Sequence, residues 1–308
     1  MNNLITIIGP TASGKTVLAA QLANRISGEI ISGDSRQVYR GMNIGTGKDL
    51  VDYTVDEKQI PYYVIDVVDA GHKYNVYEFQ QDFVKAYNAI IDKGKQPILC
   101  GGTGMYIEAA LKGYKLIHVP ANPAFRELCE TKSEEELISE LKDLKELHNQ
   151  TDIDNRRRII RALEIEHYYA SNPKIEFDYP QFSPILIGVS IDVETRRSRI
   201  DSRLKQRLDE GMIDEVKALI DRGVPTETLI YYGLEYKFLT QYILNQLTYD
   251  EMVTQLNIAI HQFAKRQMTW FRGMERRGMK IHWIDGMKPM NERILECLSV
   301  IEIYGNER

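Results

Sequence analysis

A glycine-bearing segment near the N-terminus has the residue types and spacing of a phosphate-binding loop. Residues 9–16 read GPTASGKT and directly follow the apolar run Leu4–Ile8. Between a strand and a helix, the backbone N–H groups of such a loop converge on phosphate oxygens, the lysine adds positive charge, and the threonine hydroxyl can ligate Mg²⁺. The pattern therefore predicts binding of a di- or triphosphate. The residues expected to contact it are Gly9, Thr11, Ala12, Ser13, Gly14, Lys15 and Thr16.

The loop alone leaves open which compound carries the phosphates. ATP is the commonest ligand of such loops, but a phosphotransferase should also show a strand ending in Asp or an arginine-rich lid. The segment Pro97–Gly102 ends in glycine, and Tyr63–Asp66 ends in an acid but continues into more apolar residues. Nucleotide binding is therefore open but not required.

Two other predicted strand ends carry polar side chains. Asp34 follows Glu29–Ser32, and Thr103 follows Pro97–Cys100 after two glycines. Ligands of open parallel sheets bind at the carboxyl ends of the strands, so both side chains should lie beside the phosphate loop. Asp34 could be a catalytic carboxylate, or it could cap a helix or turn the chain. Thr103 could donate to a phosphate oxygen or a base, or it could cap the next helix.

The elements that must position these residues alternate between strand and helix. This alternation predicts an α/β fold with a P-loop-containing parallel sheet flanked by helices. The predicted strands are Leu4–Ile8, Glu29–Ser32, Tyr62–Val68, Pro97–Cys100, Ile185–Ile191 and Lys280–Ile284. The predicted helices are Lys15–Ile26, Val76–Asp92, Met105–Lys112, Glu194–Glu210, Ile213–Asp221, Asp250–Phe271 and Glu292–Ile303, with a break near Gly211.

One stretch does not fit the alternation. Residues 114–183 open and close with prolines and contain two segments of helical periodicity, SEEELISELKDLKELH and DNRRRIIRALEIEHYY. These features predict a helical insertion domain at 114–183, with 1–113 and 184–308 forming the P-loop catalytic core.

Composition indicates an ordinary globular protein. The 308 residues are 43% hydrophobic and 27% charged, with a net charge of −5. Apolar runs too short for a membrane span, and the lack of a leader-like N-terminus, favour a cytoplasmic protein. Three scattered cysteines are too few for a disulfide framework or a four-ligand zinc site, so they are expected to be buried apolar filler. Arginine clusters at 156–161, 196–207 and 265–277 could form a basic groove or be solvated helix faces.

Five ordered segments resemble the tRNA dimethylallyltransferase family, of the bacterial type. They are GPTASGKT, SGDSRQVYRGMNIGTGK, GGTGMYIEAAL, RRRIIRALE and AKRQMTWFRG. The resemblance implies transfer of a dimethylallyl group from dimethylallyl diphosphate to N6 of the adenosine at position 37 in the anticodon loop of tRNA. The phosphate loop would then hold the leaving diphosphate, and no ATP need be consumed.

The resemblance also implies roles for individual residues. Asp34 would be the general base, with Thr103 and Lys15 as further catalytic residues and Thr16 as the Mg²⁺ ligand. The residues implied to contact tRNA are Asp34, Ser35, Arg36, Gln37, Thr103, Arg157, Arg158, Arg161, Lys265 and Arg266. Trp270 and Phe271 could stack on bases, but their helical spacing with Phe263 and Met268 favours core packing.

Some positions depart from the family pattern. A Gly-Tyr-Lys-Glu-like element of the family is replaced by residues in the range 232–237, and a Thr-Arg pair by Ile260-His261. The enzyme is expected to be a monomer. A P-loop small-molecule or nucleotide kinase, and an RNA-binding module that uses nucleotide as a switch, are the competing hypotheses.

Overall fold

The computed structural model describes residues 2–144, 153–172 and 178–305. The chain divides into two compact units, one formed by residues 1–114 and 179–308 and the other by residues 115–178. Residues 145–148, the end of the predicted SEEELISELKDLKELH helix, lie outside the described residues.

The strands of the described residues all belong to the first unit. They are β1 (Asn2–Ile8), β2 (Gly28–Ser32), β3 (Tyr39–Arg40), β4 (Thr54–Val55), β5 (Lys58–Gln59), β6 (Tyr62–Tyr63), β7 (Val68–Asp69), β8 (Gln96–Gly101), β9 (Phe182–Ser190) and β10 (Ile281–Asp285).

The α-helices of the described residues lie in both units. Those of the first unit are α1 (Lys15–Ile26), α2 (Val76–Asp92), α3 (Gly104–Lys112), α7 (Val193–Asp209), α8 (Met212–Asp221), α9 (Thr226–Tyr232), α10 (Leu234–Ile243), α11 (Tyr249–Arg276) and α12 (Met290–Gly305). Those of the second unit are α4 (Pro123–Glu130), α5 (Glu134–Leu144) and α6 (Arg156–Ser171).

A parallel six-stranded sheet forms the centre of the first unit, in the order β10-β9-β1-β8-β2-β6. The register pairs Ile8 with Gly101, and Ser32 with Cys100. The chain therefore leaves β1, β2 and β8 at one edge of the sheet. Both the fold class and the parallel sheet predicted from the sequence are confirmed.

Alternating side chains of the sheet build a core on each face. In β1, Leu4 and Ile8 join one buried cluster, whereas Ile5 and Ile7 join the other. The second cluster includes Leu18 and Leu22 of α1 and Cys297 of α12, and all three cysteines are buried, as predicted. Helices on both faces thus hold the strand ends in fixed positions.

The predicted strand Tyr62–Val68 is wrong. Only Tyr62–Tyr63 pairs with β2, and Val68–Asp69 pairs instead with β3 in a separate two-stranded sheet. Between them, Val64 and Asp66 have positive φ angles of 61° and 55°. The Asp66 carboxylate accepts a hydrogen bond from Lys48 at 2.5 Å. This bond holds the turn, which apolar periodicity cannot reveal.

The split near Gly211 and most helix positions are confirmed. Gly211 has φ of 95° and separates α7 from α8. Helices α9 and α10 were missed, and they meet at Gly233, whose φ is 145°. Within the described ranges, no helix combines the length and apolar character needed to cross a bilayer.

The second unit has a small apolar core of its own. Cys129 of α4, Leu137 and Leu141 of α5, and Ile159 and Leu163 of α6 are buried together. Asn122 caps α4 and Asn155 caps α6, each accepting a backbone N–H through its side-chain oxygen.

Candidate active site

The three strand ends open onto one cavity of about 430 Å³ in the first unit. Of the residues singled out in the sequence, those that line it are Thr11, Lys15, Thr16, Asp34, Ser35, Arg36, Gln37, Thr103 and Arg266. Arg203 and Arg207 of the basic cluster at 196–207, and Glu235 and Tyr236 of the segment that departs from the family pattern, also line it. Gln267, to which the sequence analysis gave no role, lines it as well. Its volume is in the range of small-molecule sites.

The phosphate loop runs from β1 into the N-terminus of α1. Gly14 is the N-cap residue, with φ of 80°, and no side chain caps this helix end. A Cβ at Gly9 would lie 2.6 Å from the Ser13 hydroxyl and 3.1 Å from the Val189 carbonyl oxygen, so a larger residue there would crowd the loop. The N-terminal N–H groups of α1 are left for an anionic ligand.

Lys15 extends beside the loop and faces the other strand ends. Its ammonium donates to the Pro10 carbonyl at 3.4 Å. Burial and the nearby Arg203 guanidinium lower the pKa of Lys15, while the Asp34 carboxylate counteracts this. Burial also raises the pKa of the Cys100 thiol to about 12, so this cysteine is protonated and inert near neutral pH. An anion bound in the loop would favour the charged lysine.

A hydrogen-bond network joins the ends of β2 and β8. The Asp34 carboxylate accepts the Arg36 backbone N–H at 2.8 Å, which turns the chain. Thr103 accepts the Ser35 backbone N–H through its hydroxyl oxygen at 3.1 Å. Thr103 occupies the N-cap position of α3 without a side-chain cap bond, so its capping alternative is wrong. Asp34 therefore both turns the chain and lines the cavity.

Gln267 of α11 bridges two of these strand ends. Its side-chain oxygen accepts the Thr11 backbone N–H at 2.8 Å, and its side-chain nitrogen donates to the Gly102 carbonyl at 3.0 Å. In the sequence Gln267 is one of several polar residues in the segment AKRQMTWFRG, and nothing in that segment distinguishes it from the others.

A row of arginines on α7 runs along the phosphate loop. Arg199 donates to the Ala12 carbonyl at 3.5 Å, one turn before Arg203 and two turns before Arg207. Both Arg203 and Arg207 contact the Asp49 carboxylate, Arg207 at 3.4 Å. Arg203 and Arg207 both line the cavity, so this wall presents two guanidinium groups to it. The spacing of these arginines in the sequence is that of one helix face, but it does not show that this face points to the phosphate loop.

Glu215 of α8 holds the loop that forms another wall. Its two oxygens accept the backbone N–H groups of Asn43, Ile44 and Gly45 at 2.7, 2.8 and 3.1 Å, and the Tyr236 hydroxyl at 2.7 Å. The loop continues to Gly47, whose carbonyl accepts the Gln37 side-chain amide at 3.1 Å. Gln37 is thereby tied to a loop that is anchored from outside the cavity.

Helix α11 supplies aromatic residues to the cavity. Trp270 and Phe263 line it and are 41% and 38% exposed, so the core prediction is wrong for both. Phe271 is fully buried, as predicted, and Met268 packs against the same core. A Cβ at Gly104 would collide with the Trp270 indole, which indicates that the indole lies directly on the backbone at the start of α3.

The positions that depart from the family pattern also reach this site. Residues 232–236 and Ile260 line the cavity, whereas His261 faces Asp201 with its Nε2 2.8 Å from the carboxylate. Burial raises the pKa of Glu235, while its own backbone N–H and the Arg207 guanidinium counteract this.

The remaining predicted basic residues lie elsewhere. Lys265 is exposed on α11, one residue before Arg266, and does not line the cavity. In the second unit, Arg157 is exposed, Arg158 pairs with Asp154 at 2.6 Å, and Arg161 donates to Glu164 and to the Val119 carbonyl.

A divalent cation would have few protein ligands here. Among the residues that the structure describes, no three His, Cys, Asp or Glu side chains group around one point. Mg²⁺ commonly needs only one or two protein oxygens, because substrate phosphates and water complete its shell. The Thr16 hydroxyl lines the cavity beside Lys15 and is an oxygen donor of the required kind.

Comparison with known proteins identifies the family. The family model described as IPP transferase matches residues 37–274. This chain belongs to the IPP transferase family. It is 58% identical over 299 residues to tRNA dimethylallyltransferase 2 of Phocaeicola vulgatus, covering 97% of each chain. It is 59% identical over 292 residues to tRNA dimethylallyltransferase 2 of Bacteroides fragilis, covering 95% of each chain.

Solved structures agree with this family. The full-length tRNA isopentenylpyrophosphate transferase from Bacillus halodurans aligns with a TM-score of 0.72 and 31% identity, over 99% of this chain and 96% of that one. A eukaryotic dimethylallyltransferase acting on tRNA aligns with a TM-score of 0.80 and 21% identity, over 99% of this chain and 80% of that one, and supports the fold alone.

Proposed function

We propose that this protein transfers a dimethylallyl group from dimethylallyl diphosphate to N6 of adenosine 37 in the anticodon loop of tRNA, releasing diphosphate. The observation that carries the proposal is one cavity onto which the phosphate loop and Asp34 both open. The names of the similar relatives favour prenyl transfer over a P-loop kinase. We expect the enzyme to act as a monomer in the cytoplasm.

The leaving group would lie on the phosphate loop. Backbone N–H groups at the end of the loop and in the first turn of α1, together with the Lys15 ammonium, would bind the diphosphate and stabilise the charge that develops as it departs. Arg203 and Arg207 face the same cavity and would add to this stabilisation. The Thr16 hydroxyl would hold Mg²⁺, which when bound neutralises diphosphate charge.

The acceptor would lie at the end of β2. The N6 amine is a weak nucleophile because its lone pair is delocalised into the adenine ring. As the N6–carbon bond forms, the carbon–oxygen bond to diphosphate breaks and its electron pair leaves with the diphosphate oxygen. Asp34 would take the N6 proton, through the oxygen that does not accept the Arg36 N–H. A positioned general base contributes roughly 10²–10⁴ in rate.

The adenosine must leave its stack to reach this cavity. Extruding a base costs a few kcal/mol, and less from a loop than from a duplex. Ser35, Arg36, Gln37 and Thr103 line the cavity beside Asp34 and would contact the flipped base and its neighbours. Further contacts to the tRNA backbone would come from Arg157, Arg158, Arg161, Lys265 and Arg266.

Mass spectrometry of tRNA tests the proposal. Unmodified tRNA is incubated with purified protein, Mg²⁺ and dimethylallyl diphosphate, without ATP, and the Asp34→Ala protein serves as the matched control. We expect a five-carbon mass gain on an anticodon-loop adenosine with the natural chain, and almost none with the control. If the intact donor and tRNA give no gain, while ATP supports phosphorylation of a small metabolite, the kinase alternative replaces this function.

A further inference from the structure

The bridge made by Gln267 spans the two halves of the cavity. Gln267 is only 7% exposed, and both ends of its amide are engaged with backbone groups. Its oxygen accepts the Thr11 N–H of the phosphate loop, and its nitrogen donates to the Gly102 carbonyl before Thr103. One side chain therefore joins the diphosphate side to the acceptor side.

The chemistry of this bridge requires an amide. The Thr11 N–H needs an acceptor, whereas the Gly102 carbonyl needs a donor, and glutamine supplies one of each at the end of the same side chain. Glutamate could keep only the first bond, and leucine neither. The partners are peptide groups, so the orientation of the amide is set by the backbone on both sides.

The location of the bridge gives it a mechanical role. The sheet holds β1 and β8 at fixed spacing as far as the pair Ile8 and Gly101. The strand pairing ends at those residues, and Gln267 hydrogen-bonds to a backbone group just beyond the end of each strand. A Cβ at Gly102 would lie 2.5 Å from the Gln267 side-chain nitrogen, so a side chain at position 102 would interfere with this hydrogen bond.

We infer that Gln267 is a positioning residue that sets the distance between the allylic carbon of the bound donor and the attacking amine. The inference rests on the proposed function. In the proposed function the diphosphate would be held by the loop that contains Thr11, and the acceptor would lie beside Thr103, so loosening the bridge would change the approach distance. A displacement of about 1 Å can cost on the order of 10² in rate.

Steady-state kinetics of Gln267→Leu test the inference. Its matched control is Gln262→Leu, because Gln262 is an exposed residue of the same helix and does not line the cavity. We expect kcat to fall about 10²-fold in Gln267→Leu, with the KM for dimethylallyl diphosphate changed less than about threefold. The control should match the natural chain in both constants.

Two outcomes would overturn this role. An unchanged kcat with a lower melting temperature would make Gln267 a stabilising residue, and an unchanged kcat with a higher donor KM would make it a binding residue. Transfer by the natural chain is measured in the same series. Its absence would overturn the proposed function itself, whereas transfer that is insensitive to Gln267 overturns the positioning role alone.

The variant Gly102→Ala should disrupt the same bridge while keeping Gln267 unchanged. Its methyl group should push the amide away and lower kcat in the same direction as Gln267→Leu. Because both changes break one bridge, the double variant should lose no more than about threefold beyond the worse single variant. Fully additive losses would show two independent effects and contradict a shared bridge.

Discussion

Two regions of the molecule contain the same charge arrangement, in which a pair of arginines shares one carboxylate. In the cavity, Arg203 and Arg207 share Asp49, whose side chain is 40% exposed. In the second unit, Arg126 and Arg161 share Glu164, whose side chain is 3% exposed. The exposure of the carboxylate, rather than the number of arginines, separates the two regions.

The buried carboxylate is fully engaged. Glu164 accepts two hydrogen bonds from Arg126, at 3.0 and 2.8 Å, one from Arg161 and one from the Asn122 backbone N–H at 2.6 Å. These bonds tie the start of α4 to α6 and serve the fold of the second unit. Arg203 and Arg207 instead line a cavity, where their guanidinium groups can face an anionic substrate.

The largest effect should come from removing the cavity pair. For Arg203→Ala with Arg207→Ala, we expect kcat/KM for dimethylallyl diphosphate to fall on the order of 10³-fold, because stabilisation of the leaving diphosphate is lost. Initial rates at varied donor concentration measure this. If the melting temperature also fell sharply, the loss of activity would reflect unfolding. Arg203 and Arg207 would then stabilise the fold, as Arg126 and Arg161 do, and the two regions would not differ.

The next effect concerns stability of the second unit. Replacing Glu164 by Ala leaves two arginines without their buried partner, which costs about 3 kcal/mol in the free energy of unfolding. Hydrogen exchange of amides in α4 and α6 should accelerate accordingly. The comparison variant Asp49→Asn removes the charge of a carboxylate that is 40% exposed and keeps a side-chain oxygen as acceptor for Arg203 and Arg207, so exchange in its own region should accelerate less. Equal acceleration in both variants would contradict the distinction by exposure.

The pH dependence of the same bonds gives a smaller effect. Burial alone raises the pKa of Glu164, but hydrogen bonds from Arg126, the Asn122 backbone and Arg161 outweigh it and lower the pKa to about 2. The carboxylate therefore stabilises the unit fully above its unfolded pKa, and this contribution is lost as pH falls through that range toward 2. Urea midpoints followed between pH 6 and 2.5 should fall less in Glu164→Gln, which has no charge to lose. Identical slopes would remove Glu164 as the cause.

The smallest effect is expected at the exposed end of the basic triplet. Arg157→Ala should weaken tRNA binding by only a few-fold and lower the slope of log affinity against log salt by about 1, because one phosphate contact is lost. Filter binding across a salt series measures both quantities. If neither changes, Arg157 is a solvated residue and the second unit contributes no contact at that position.

The sequence predicted much of the site because strand ends in a parallel sheet have a fixed common edge. Once β1, β2 and β8 were recognised, Thr11, Lys15, Asp34 and Thr103 had to lie together. The alternation of predicted strands and helices along the chain likewise predicted a parallel sheet flanked by helices. Both predictions depend on patterns within short segments of the sequence, and such patterns are compatible with few other folds.

The missed features depend on contacts that no local pattern records. Gln267 bonds to residues 256 and 165 positions away. Trp270 has core-like helical spacing, but it rests on Gly104 at the cavity instead of entering the core. The false strand around Val64 looked regular because its interruption is a backbone turn held by Lys48, a residue from another segment.

The Glu215 contact has a consequence for how this chain can change over evolution. The groups it holds are peptide N–H groups of the 43–45 loop, which every residue except proline possesses. Side-chain drift at Asn43 and Ile44 leaves these backbone donors in place, whereas a Cβ at Gly45 would lie 2.8 Å from the Tyr236 ring. Replacing Glu215 by a residue without a side-chain acceptor removes both acceptor oxygens at once. Purifying selection for the shape of the loop therefore falls on a helix residue that lies far along the chain.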